Sequence, residues 1–285
     1  MPQALTSRFL FGPGPSNCYP EVTAALAHPV IGHLDPVFIE RLDNTCEGLR
    51  TVWGTRNART LPLSVTGSGG MEAAFVNTVD DGDVAVIAVN GLFGERMCEV
   101  ARRCGATVVR VDHEWGTPID VERVLTVHPQ PKVIAAVHAE TSTGVLSDVA
   151  SLGQNKGDAL LIVDAVTSIG GLELRADDWG IDVGYAGTQK CLGVPPGLSL
   201  HNVGQGLRAK NQGSPLLVPG RRPAGRLRRG RHRQRTNVPS HATGDNDRRI
   251  GGGIAKNSGR GTGHGPGAPP RGRGRVAGGA PGDGT

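Results

Sequence analysis

Lys190 stands in GTQKCLGVPPG (187–197), a lone amine among glycines and prolines, directly after the apolar stretch IDVGYA. A lysine at a strand end among small residues can attack a carbonyl carbon and form a Schiff base. Asp164 closes a second apolar stretch, LLIVD. A carboxylate there is costly to bury unless it meets a cation, and a protonated ring nitrogen would suit it; a helix cap or a metal ligand are the plainer readings. TGSGG (66–70) supplies Ser68, Gly69 and Gly70 between an apolar stretch and a helical one. Free N–H groups at such a helix start suit an anion, although an ordinary glycine turn reads the same way. The pattern is neither G-x-G-x-x-G nor a P-loop, so it makes no case for a nucleotide. NGLFGER places Phe93 after the next apolar stretch, where a ring could stack on a flat molecule or simply join the core. HAETSTG (138–144) follows KVIAAV with an imidazole, a carboxylate and three hydroxyls, a row that could also be a capping cluster.

Taken together, an anion cradle, a stacking ring, an acid for a ring nitrogen and a Schiff-base lysine meet the four needs of pyridoxal 5'-phosphate. They occur in that order along the chain.

These residues need a scaffold that brings strand ends together. Residues 20–53 read as helical, with Pro20 at a first turn and Val37, Phe38, Leu42, Leu49 and Val52 at helical spacing. An alternation follows. LPLSVTG reads as a strand, GSGGMEAAFVNTV as a glycine turn and helix, DVAVIAVN as a strand, and GLFGERMCEVARRCG as a helix ending at Gly105. TVVRVD, KVIAAV, ALLIVD and IDVGYAGTQK supply further strands, the last of the series being IDVGYAGTQK, and PIDVERVLTVH a short helix. Strands apolar on both faces that alternate with helices predict an α/β fold, a mostly parallel sheet flanked by helices, with ligands at the carboxyl ends of the strands.

The composition breaks late in the chain. Residues 1–199 hold 14 Lys+Arg against 23 Asp+Glu, whereas residues 200–285 hold 17 against 3. The net charge of +5 therefore describes neither part. Residues 200–285 have no Phe, Trp, Tyr, Cys, Met or Glu and are dominated by Gly, Arg and Pro. Such a segment buries too little apolar area to offset its ordering entropy and is expected to be disordered. The expected organisation is an N-terminal arm with helices (1–54), a cofactor-binding large domain (55–199) and a basic tail (200–285). Five cysteines without a C-x-x-C pair argue against a disulfide framework or a zinc knuckle, and no metal is expected. The N-terminus lacks a signal-length apolar core, and no stretch is long enough to span a membrane. The chain is expected to be cytoplasmic.

FGPGPSN, IGHLDPVF, TGSGGMEAA, NGLFGER, HAETSTG, LLIVDAVTSIGG and GTQKCLGVPPG, spread over residues 8–199, resemble the class V aminotransferases of fold type I, nearest the alanine–glyoxylate, serine–glyoxylate and serine–pyruvate group. The resemblance implies that Lys190 bonds the cofactor's aldehyde and shuttles a proton, and that Asp164 pairs with the ring nitrogen. It implies that Ser68, Gly69, Gly70 and Gln189 hold the phosphate, and that Phe93 stacks on the ring where the family more often has tryptophan. Ser142 would contact the phenolic oxygen side, Val166 would pack on the opposite face, and Gly14, Pro15, Ser16 and Asn17 would line the substrate entrance. The implied reaction moves an amino group from alanine or serine to glyoxylate or pyruvate in a homodimer. Desulfurase and aminoethylphosphonate transaminase chemistry remain open, although a desulfurase needs a cysteine beyond the lysine and none follows Cys191.

Family members continue past this lysine into a smaller domain that supplies the arginine for the substrate carboxylate. Residues 200–285 match none of that, so substrate orientation would suffer and the chain could be inactive in this form. Out-of-frame translation of a GC-rich gene would produce such a tail. Alternatively, the tail is a genuine basic arm that binds nucleic acid or acidic surfaces through phosphate contacts, nonspecifically and salt-sensitively, making the chain a nonenzymatic binding protein.

Overall fold

The computed structural model describes residues 8–204. Its centre is a seven-stranded sheet built from β1 (Thr60–Leu63), β2 (Val84–Val89), β3 (Thr107–Asp112), β4 (Val133–Val137), β7 (Leu160–Asp164), β8 (Val183–Gly187) and β9 (Ser199–Val203), in the order β1-β9-β8-β7-β4-β2-β3. The neighbours β3, β2, β4, β7 and β8 pair in parallel. β9 runs antiparallel to both β8 and β1. A two-stranded hairpin, β5 (Ala139–Glu140) and β6 (Val145–Leu146), follows β4.

The sequences of the central strands dictate this burial. VAVIAV, VIAAV and LLIVD carry no side chain that needs water until the last position of β7, so helices can cover both faces. The alternation of side chains splits the core into two layers. Val86, Ala88, Ile134, Ala136, Leu161 and Val163 pack with residues from α2 (Pro36–Trp53), α5 (Val121–Thr126) and α6 (Val149–Asn155). Ala85, Ile87, Val133, Ala135, Leu160 and Ile162 pack with residues from α3 (Gly67–Val76) and α4 (Leu92–Arg103).

The helical N-terminal region predicted over residues 20–53 consists of α1 (Pro20–Ala25) and α2. Asp35 caps α2, its carboxylate accepting from the Val37 N–H, and Gly54 ends it in the left-handed region at φ 59°. The apolar spacing of α2 overstates its contact with the sheet. Val37 and Leu42 are exposed, and only Leu49 and Trp53 near its end are buried.

Three expectations need correction. The large domain does not stop at residue 199, and IDVGYAG is not the last strand. Leu200–Val203 complete β9 between β1 and β8, and all four residues are buried. Asn202 accepts hydrogen bonds from Asn57 Nδ2 at 3.2 Å and from the Thr60 hydroxyl at 3.3 Å, so polar side chains here tie strands together. The stretch GSGG is the first turn of α3 rather than a loop ahead of it. The remainder of the predicted tail, residues 205–285, lies outside the described residues. Among the described residues no helix is long and apolar enough to cross a membrane.

Candidate active site

The parallel strands deliver their polar residues to one edge of the sheet. β1 leads into Thr66–Gly70, β2 into Gly91–Phe93, β4 into His138–Ser142, β7 ends on Asp164, and β8 leads into Gln189 and Lys190. This is the edge where open α/β sheets bind ligands.

Asp164 is 3 % exposed. Its Oδ1 accepts from the Val166 N–H at 2.9 Å and its Oδ2 from the Tyr185 hydroxyl at 2.8 Å. Burial pushes its carboxyl up to about 6, and the charge of Glu140 adds to the rise. The bonds from Val166 and Tyr185 and the charge of Lys190 pull it back. Such a carboxyl is short of a cation and would be stabilised by a protonated ring nitrogen. Val166, two residues on, is half-buried between two glycines. Its methyl carbons lie 3.1 Å from where a Gly67 Cβ would sit and 3.5 Å from where a Gly187 Cβ would sit. The result is a small apolar floor with no bulk on either side.

Lys190 sits under the segment Pro13–Asn17. Its Nζ donates to the Pro13 carbonyl at 2.6 Å. Ser16 fastens the segment, its hydroxyl donating to the Lys190 carbonyl at 2.7 Å and its N–H to the Gln189 carbonyl at 2.8 Å. Gly14 adopts φ 126°, which side chains rarely tolerate, and a Cβ there would fall 2.5 Å from Lys190 Cδ and 2.8 Å from Nζ, so glycine lets the strap lie on the lysine. Asn17 shapes the strap locally, bonding the Leu10 N–H and the Arg8 carbonyl. Gly14, Pro15, Ser16 and Asn17 thus lie along one segment, with Gly14 and Ser16 in direct contact with the lysine turn. Gln189 is half-buried, and its Oε1 is buried without a hydrogen-bond partner.

The glycine turn at the start of α3 leaves fewer free N–H groups than its sequence suggests. Thr66 provides no side-chain cap to α3, and the first helical bond runs from the Gly70 N–H to the Thr66 carbonyl at 2.9 Å. The N–H groups of Ser68 and Gly69 come before that bond and have no acceptor within the helix. Gly70 is different. Its N–H is used, and a Cβ there would lie 2.0 Å from Ser199 Oγ and 3.0 Å from His201 Nε2. Gly70 is glycine because α3 presses on β9, and it is not a group free to hold an anion.

Ser142, which the resemblance places beside a ring oxygen, is bonded within the protein. Its hydroxyl donates to Glu140 Oε1 at 2.7 Å and accepts from the Leu92 N–H at 3.0 Å. Both bonds fasten the start of α4 to Glu140 and its loop. Thr141, beside it, bonds the Thr167 hydroxyl instead. Phe93 is half-buried, packs against the α3/α4 core layer and donates its N–H to Glu140 Oε2 at 3.1 Å. With Ser68, Leu92 and Arg96 it lines a groove of about 550 Å³.

Three further residues near this edge have no role that a motif marks. Glu140, fully buried, accepts from Phe93, Gly94 and Ser142 and organises the loop. The signal was a carboxylate directly after an apolar strand. Tyr185 was visible only as a phenol inside a strand, and His201 lay beyond the assumed boundary. His138 is a core residue. Its Nδ1 bonds Ser168 at 2.9 Å, its ring meets Trp179 edge-on, and burial lowers its pKa. Among the described residues no group of three or more His, Cys, Asp or Glu could hold a metal ion.

Against known proteins, a family model described as "Aminotransferase class-V" matches residues 9–220. The match continues past residue 199, beyond the motifs that carry the resemblance. An alanine–glyoxylate aminotransferase of Drosophila melanogaster is 39 % identical over 203 residues, covering 70 % of this chain and 52 % of that protein. A (S)-ureidoglycine–glyoxylate transaminase of Bacillus subtilis is 39 % identical over 196 residues, covering 67 % of this chain and 47 % of that protein. A crystal structure of an alanine–glyoxylate aminotransferase from Nostoc sp. superposes with a TM-score of 0.72 at 40 % identity, covering 77 % of this chain and 59 % of that one. The chain spans about half the length of the curated relatives it matches.

Proposed function

The chain belongs to the class-V aminotransferases, and on that footing we propose that it binds pyridoxal 5'-phosphate at the strand edge and moves an amino group from a small amino acid, alanine or serine, to glyoxylate or pyruvate. The observation that carries this is the buried Asp164 carboxyl, held by two donors at the edge that Lys190 shares. The cofactor, when bound, supplies an aldehyde to receive the amino group and a ring that accepts the electron pair left at the amino-acid Cα.

The residues present fit such a group. Asp164 would hold a proton on the ring nitrogen. Val166 and Phe93 would confine the ring, and the N–H groups of Ser68 and Gly69 with the amide of Gln189 would hold the phosphate. Lys190 Nζ, released from the Pro13 carbonyl, would take the proton from Cα and return it to the carbon that had carried the aldehyde. The Pro13–Asn17 strap would keep water from that amine. Glyoxylate as acceptor is supported by the names of the relatives from Drosophila melanogaster, Bacillus subtilis and Paracoccus denitrificans, which share it while their donors differ. A second copy of the chain would complete the site. Apolar side chains exposed on the arm, Phe9, Phe11 and Leu34 among them, support that reading.

The test is to mix the full chain and pyridoxal phosphate with L-alanine and glyoxylate and to measure pyruvate and glycine formed in equal amounts. Products that form from wild type and are lost in Lys190→Ala support the proposal. Turnover that survives in the variant would end the role given to Lys190.

A further inference from the structure

Asp164 and Tyr185 face each other across the parallel pair β7/β8, in register. Tyr185 is fully buried, and its hydroxyl donates to Asp164 Oδ2 at 2.8 Å. Phenylalanine would fill the same volume, whereas a buried hydroxyl is costly unless it is bonded. The phenol therefore has a polar task, and its acceptor is the carboxyl on which the proposed function depends. We propose that Tyr185 is a positioning residue that fixes the rotation of Asp164 and favours its anionic form. This rests on the role assigned to Asp164 above.

The surroundings leave the phenol as donor. Burial, then the charge and the hydrogen bond of Asp164, push its own ionisation well above the ordinary tyrosine range. On the other side of β8, His201 of β9 is its register partner, with ring centroids 6.4 Å apart and planes tilted by 31°. Burial lowers that imidazole to about 4, so it brings no positive charge near neutral pH. Glu140 opposes the anionic form of Asp164, and Lys190 favours it. From α3, which packs on β8, Glu72 is exposed. An ionised carboxylate accepts about four hydrogen bonds. Val166 and Tyr185 take one lone pair on each oxygen, leaving the others for a cation at the strand edge.

The sequence offers a clean probe, because it contains two tyrosines, Tyr19 and Tyr185. The cofactor-free full chain is labelled with 3-fluorotyrosine, and its fluorine resonances are assigned with Tyr19→Phe. The Tyr185 signal is expected to titrate with a midpoint of about 6, following Asp164, and to lose that titration in Asp164→Asn. In Tyr185→Phe, the Asp164 carboxyl, followed by carbon-13 labelling, should titrate about one to two units higher, because an anion-stabilising bond is lost. A Tyr185 fluorine signal that stays flat from pH 4.5 to 7.5, or an Asp164 midpoint unmoved in a folded Tyr185→Phe, overturns the proposal. Should Tyr185→Phe fail to fold, the fluorine titration decides alone. Both readouts are taken without cofactor, so a chain that takes up no pyridoxal phosphate would sink the functional reading and leave this one to stand or fall separately.

Discussion

His201 gives the sharpest stability prediction. It lies on β9, 5 % exposed, between Tyr185 and α3, and its Nε2 has no hydrogen-bond partner. Burial alone lowers its pKa from 6.5 to about 4. The folded state thus binds fewer protons there than the unfolded state between those values. The contribution is fully present above pH 6.5, is lost as the pH falls, and levels off below about 4. At about 1.4 kcal/mol per unit, the whole loss is about 3 kcal/mol. Asp164 works the other way. Its folded value of about 6 lies above 3.8, so its contribution is present below 3.8 and lost as the pH rises to about 6. In wild type the two slopes oppose each other through the interval they share. Replacing His201 with Leu removes one of them. Urea unfolding of wild type and His201→Leu across pH 4 to 7 should show the variant gaining about 3 kcal/mol on wild type as the pH falls from 6.5 to 4. Near pH 7 the two should be closer, since the substitution also removes a buried unpaired nitrogen. Parallel curves across the whole range would refute the claim that the imidazole is buried and neutral.

Other outcomes follow from single contacts. Gly184 sits under the indole of Trp53, where a Cβ would fall 2.4 Å from Cζ3. Gly184→Ala should cost about 1–3 kcal/mol in urea unfolding by prising α2 off the sheet; an unchanged midpoint would mean that the indole moves freely. Glu140→Gln removes a buried charge that pushes Asp164 up and weakens the fastening of α4. The Asp164 midpoint, read by carbon-13, should fall below about 6. Stability should drop by about 1 kcal/mol, as for loss of a helix cap. An Asp164 midpoint that does not move would exclude the coupling between these two carboxyls.

The central strands were legible because both of their faces are buried, so VAVIAV, VIAAV and LLIVD could be nothing polar. β9 is just as buried, but its polar side chains hide it in the sequence. In SLHNV, Ser199 donates to the Ala186 carbonyl, His201 lies buried behind α3, and Asn202 bonds Asn57 and Thr60. A buried strand that works through polar side chains looks like a loop when no neighbours are known, and the basic segment that follows drew the boundary too early. α6 escaped because seven residues give little periodicity, and because Gly153 presses on the Trp179 carbonyl where a larger residue would have marked a face. Asp164 and Lys190 stand out in the sequence because strand ends are where parallel sheets place chemistry. Tyr185 required the knowledge that β7 and β8 are adjacent and in register. Ser142 bonds Glu140 and Leu92 while Thr141 bonds Thr167, partners that the fold brings in and residue types alone do not reveal.

The most direct test of the account is to add pyridoxal phosphate to the full chain, reduce with borohydride and map the modified peptide. The account predicts a visible absorbance band before reduction and a single phosphopyridoxyl group on Lys190 afterwards, with both lost in Lys190→Ala. A label on another lysine, or a band as strong in Lys190→Ala as in wild type, would contradict it.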